Sequence, residues 1–153
     1  MFDVLVYLFE TYYNPQACPN DEVLAHKLAA VGFDNEEIHD ALDWLQGLSE
    51  STEAHTFVEE PRSTKSFRIY TAQEQHHFET EALGFIHFLE HSGVLSAHLR
   101  EILIERAIAV QESPLSLDKL KIIALIILWR HEIEIDHLIF EELISYQEDE
   151  LPH

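Results

Sequence analysis

Residues 20–48 read NDEVLAHKLAAVGFDNEEIHDALDWLQGL, and this stretch spells out two helices joined by a tight turn. Asn20 has the short acceptor side chain that caps a helix start, and Asp21 and Glu22 suit the positive end of the helix dipole. Val23, Leu24, Leu28 and Val31 then recur with helical period, and the stem of Lys27 fills the same stripe. Gly32 can take the left-handed conformation that ends such a helix. Asp34 followed by Glu37 has box-like spacing and opens the next helix, whose apolar stripe is Ile38, Ala41, Leu42, Leu45 and Leu48. Gly47 lies near its expected end.

Working outward, FDVLVYLFETYY at 2–13 contains few polar residues and predicts a helix buried nearly all round, broken by Asn14-Pro15. Downstream, 55–58 and 66–70 look like two short strands around a Pro61 loop, the second alternating Phe67 and Ile69 against Arg68 and Tyr70. Three helices and a hairpin follow the winged-helix order. Beyond it, Thr71 and Glu74 form a capping box for one long helix to about His91, and Gly93 ends it. Ser96 opens a helix to Val110, and Ser116 caps LDKLKIIALIILW, which is apolar on all sides after Lys121. A last helix spans about 136–146. The expectation is a mainly α protein of seven helices: a winged-helix-like N-terminal half with a small β-hairpin, 1–70, packed on a C-terminal helical half, 71–153. The two halves share a core built on the first helix and on Ile122–Trp129.

Composition narrows the function. Asp and Glu number 29 against 9 Lys and Arg, a net charge of −20 that repels nucleic-acid phosphate and anionic lipid. The single Cys18 excludes a disulfide framework and an all-cysteine metal site, and points to a reducing, cytoplasmic setting. The start, Met1-Phe2-Asp3-Val4, has no basic segment of a secretory signal, and Ile122–Trp129 is far shorter than the roughly twenty residues of a membrane helix. No GxSxG, P-loop or GxGxxG occurs, and with four glycines in all a phosphate-cradling loop is excluded. The expectation is a protein without enzymatic activity or cofactor.

Two charged groups stand out. Glu36, Glu37, Asp40 and Asp43 give the third helix an acidic face, because positions 36, 40 and 43 recur on one side. A recognition helix for duplex DNA needs donors and cations there. Lys27 is the sole Lys or Arg within residues 1–60, so this face is either a solvated surface that keeps the protein soluble or a docking face for a basic protein partner, and not a reader of DNA. The one reversal of charge is Arg62, Lys65 and Arg68, three cations with no acid between them, which could grip a phosphate backbone or an acidic partner. Among eleven histidines, His87 and His91 have the i, i+4 spacing of a metal pair, with His98 or Glu90 as a third ligand, but HFLEH is not the HExxH of zinc proteases.

Several blocks together resemble one family. They are MFDVLVYLFETY at the start, AAVGFDNEEIHDALDWLQGL, SFRIYTAQE, GFIHFLEHSGVLSAHLREILIERAI and LDKLKIIALIIL, and in this order they are similar to the Smg family of bacterial proteins. The resemblance runs along the whole chain. It implies no biochemical activity and carries over no catalytic or binding residues, since the family has none assigned. The family's genes are commonly found near one for a DNA-processing protein, which implies a nucleic-acid setting by association alone.

The reading that follows is a cytoplasmic, non-enzymatic protein acting through protein–protein contacts on its acidic helix face, with no membrane contact. The alternative is a nucleic-acid-associated regulator using the basic segment 62–68. Because no ligand set is closed, tag-free protein should carry no stoichiometric zinc, nickel or iron by elemental analysis. One metal per chain, lost on His87→Ala, would reverse that conclusion.

Overall fold

Helices account for all regular structure in the computed structural model, which describes residues 1–12, 14–56 and 69–144. They are α1 (Phe2–Thr11), a single 3-10 turn (Pro15–Ala17), α2 (Asp21–Val31), α3 (Asn35–Thr56), α4 (Ala72–His77), α5 (Thr80–His91), α6 (Ala97–Ile108), α7 (Leu117–Arg130) and α8 (His137–Ile144). By their contacts the residues gather into two units, Met1–Gln46 with the chain from Asp118 onward, and Gly47–Leu117. This is a grouping by space, where the expected halves 1–70 and 71–153 are a grouping by motif order. Among the described residues no helix is long and apolar enough to cross a membrane.

The first unit is built on α7. All ten residues from Leu120 to Trp129 are buried, so this helix has no face for water. From α1, the Phe9 ring meets Trp129 edge-on at 6.2 Å, and it also lies 6.1 Å from Phe140 of α8. Val4, Leu5 and Leu8 are the buried residues of α1, whereas Phe9 is half-buried. Tyr7 stands edge-to-face with Phe33 at 5.5 Å, which ties α1 to the turn between α2 and α3. The caps are those the residues dictate. The Asn20 side chain accepts from the Val23 amide at 3.0 Å, and Gly32 ends α2 at φ 114°, a conformation that a side chain would disfavour.

The second unit is built on α6, which buries Leu99, Arg100, Ile102, Leu103, Ile104 and Ala107. Ser96 caps it through the Leu99 amide. Against it lies the C-terminal part of α3, where the Ser51 hydroxyl donates to Glu105 at 3.0 Å and the Arg106 guanidinium occupies the space a side chain on Gly47 would need. From α4, His77 Nε2 makes a 2.9 Å hydrogen bond with the Ala107 carbonyl.

Three expectations are corrected. No strand occurs among the described residues, so the β-hairpin is not supported, and the winged-helix reading that rested on it falls too. Thr56 and His55, which open the first expected strand, end α3 instead. Ile69 and Tyr70, which close the second, have neither helix nor strand structure, and 57–68 lie outside the described residues. The third helix does not stop at Gly47. It continues because Ser51 and Gly47 find partners on α6, and such tertiary contacts outweigh the poor helix propensity of a glycine and serines.

The long helix expected from 71 to 91 is likewise two helices. Its capping box is present, with Glu74 N to Thr71 Oγ1 at 3.1 Å and Thr71 N to Glu74 Oε1 at 3.0 Å. At Phe78 the chain turns extended, since Leu115 N donates to the His77 carbonyl at 2.6 Å and Glu79 N donates to the Leu115 carbonyl at 3.2 Å. This parallel bridge, with Phe78 buried, replaces helical bonds by bonds to a distant segment.

Two stability outcomes follow. Leu8→Ala should destabilise by about 2–5 kcal/mol, because Leu8 is 1% exposed and the cavity adds to the lost transfer energy. An unchanged melting temperature would remove α1 from the core. For the Lys121–Glu142 pair, at 3.3 Å, Glu142→Gln should cost roughly 1–2 kcal/mol by leaving a buried ammonium a poorer acceptor. Lys121→Met should cost less, since it removes the charge while keeping an apolar stem of similar length. Urea titration ranks the two, and the reverse order would deny the ammonium its need of the carboxylate.

Candidate functional site

The helical period of α3 separates its two faces. Ile38, Ala41, Trp44, Leu45 and Leu48 are buried, while Glu36, Asp40 and Asp43 are exposed and Glu37 is half-buried at the edge. Glu36 and Glu37 also occupy the first turn, where negative charge meets the positive end of the helix, so part of their placement is intrinsic to the helix. The structure thus brings Glu36, Asp40 and Asp43 to one surface. It adds His39, whose Nε2 lies 3.2 Å from Asp43 Oδ2 one turn on, with both side chains largely in water. The i, i+4 spacing of His39 and Asp43 is the sequence signal that identifies this pair, and so exposed a pair contributes little to stability. Arg62, Lys65 and Arg68 lie outside the described residues.

The metal-pair spacing does not develop into a centre. His87 and His91 are both exposed, and the His87 ring stands edge-to-face with Tyr70 at 5.6 Å. Glu90, a candidate third ligand, accepts from Arg100. Among the described residues no three side chains of His, Cys, Asp or Glu converge to hold a metal ion. Cys18 is half-buried, and burial pushes its thiol above the ordinary value while the charge of Arg130 pulls the other way. A thiol so placed is a poor nucleophile near neutral pH.

Two cations missed by the sequence reading are buried. Arg100 donates from Nε to Glu101 at 2.9 Å and from Nη1 to Glu90 across the α5–α6 turn. Burial works against its charge, but the bonds to Glu101 and Glu90 outweigh that, so the guanidinium is held above its ordinary pKa. Lys121 donates to Glu142, linking α7 to α8. The signal was a cation set among apolar residues, Leu99 and Ile102–Ile104 for one, Leu120 and Ile122–Ile123 for the other. Both act inside the fold. On the outside, the carboxylates of α3 supply a field that attracts cationic groups.

The family model described as "Protein of unknown function (DUF494)" matches residues 1–153. Among curated proteins, a "Protein Smg homolog" of Bordetella pertussis is 57% identical over 145 residues, covering 95% of each chain. Another, of Herminiimonas arsenicoxydans, is 50% identical over 154 residues, covering 99% of this chain and 98% of its own. A third, of Methylibium petroleiphilum, is 48% identical over 153 residues, covering 100% of both. No solved structure gives a significant match. With the model matched end to end and relatives similar over nearly their whole length, the chain belongs to the DUF494 family, that of the Smg homologues.

Proposed function

We propose that this protein is a non-enzymatic cytoplasmic component that works by binding a basic protein partner on the acidic face of α3. The observation that carries the reading is the joint exposure of Glu36, Asp40 and Asp43 on one side of a helix whose other side is buried. A rigid helix sets the spacing of these charges in advance, so a partner's Lys and Arg meet them at little ordering cost. The field of a chain with net charge −20 adds long-range attraction for a cationic surface, acting on the rate of encounter more than on final affinity. The same field opposes nucleic acid at every approach within the screening length, about 8 Å at physiological salt.

The test reverses two charges. Glu36→Lys with Asp40→Lys should leave the circular dichroism unchanged, because both side chains are exposed. It should abolish capture from native lysate of a basic partner that cross-links to α3 of the wild type. Equal capture by both forms, or cross-links confined to other elements, would reduce the stripe to a solvated surface.

The basic segment generates the second reading, of a nucleic-acid-associated regulator, since Arg62, Lys65 and Arg68 follow one another without an intervening acid. Three phosphate contacts give only a shallow salt dependence, a slope of roughly −3 on logarithmic axes. Wild-type protein should therefore show no retention on duplex DNA near 150 mM salt. Sub-micromolar binding under those conditions, weakened by Arg62→Glu or Lys65→Glu, would replace the protein-docking reading with this one.

A further inference from the structure

We draw no further inference here: the strongest candidate, the exposed apolar spot on α5 where Phe88 stacks on the buried Phe85, carries nothing because nothing in the structure shows what covers it.

Discussion

A helix with no polar face has to be covered on every side, and α7 imposes that condition on the first unit. Its buried run from Leu120 to Trp129 is almost entirely aliphatic. Each such side chain is worth roughly 1.5–3 kcal/mol on burial, which is ample reason for segments far apart in sequence to close around it. α1 comes from the start of the chain and α8 from its end, and Phe9 touches both Trp129 and Phe140. The same burial creates an electrostatic demand. Lys121 sits within the apolar run at 4% exposure, and Glu142 reaches its ammonium from α8 at 3.3 Å, which offsets part of the cost of burying that charge. The position of α8 is thus tied both to the apolar surface it covers and to the charge it neutralises.

The second unit meets the same kind of problem with α6. Arg100 is nearly buried and is answered by Glu90 and Glu101. Further along α6, the Arg106 guanidinium comes close to α3 at Gly47, and that approach is open because Gly47 has no Cβ. Glycine in a helix interior costs about 1 kcal/mol relative to alanine, a cost offset where its absent side chain admits a neighbour. Gly47 is therefore a packing residue of a continuing helix, although its residue type reads as a terminator.

That double meaning explains what was legible beforehand and what was not. Caps and stops with local causes were visible: Asn20, Gly32, the Thr71–Glu74 box, Ser96 and Gly93 each act through residues within a few positions. The burial of α7 was visible too, because an all-round apolar run has one solution. The misread places each depend on a distant partner. α3 runs past Gly47 because of Glu105 and Arg106, and α4 separates from α5 because Leu115 bonds on either side of Phe78. Local alternation around 66–70 suggested a strand, yet Ile69 is 88% exposed and does not line a sheet. The acidic stripe was legible for the opposite reason: an exposed face has no distant partner to override the helical period. Its chemistry was legible as charge alone, since among the described residues no three side chains of His, Cys, Asp or Glu gather there to hold a metal ion.

The division of charge between inside and outside bears on how such a surface works. Of nine Lys and Arg, Arg100 and Lys121 are turned inward and neutralised by their own carboxylates, and three more fall within 62–68. Arg100 and Lys121 therefore do not dilute the negative exterior. On α3 the carboxylates of the stripe stand beside the exposed imidazole of His39, 3.2 Å from Asp43. One imidazole against three exposed carboxylates leaves the stripe negative in either protonation state. A cationic partner is then favoured over an anionic one by sign alone, before any shape is considered. Discrimination among cationic partners requires more than sign, because point charges in water at 8–10 Å ionic screening select weakly. It would come from the half-buried residues bordering the stripe, of which Glu37 is one and Leu42 another, where contact excludes water and geometry begins to count.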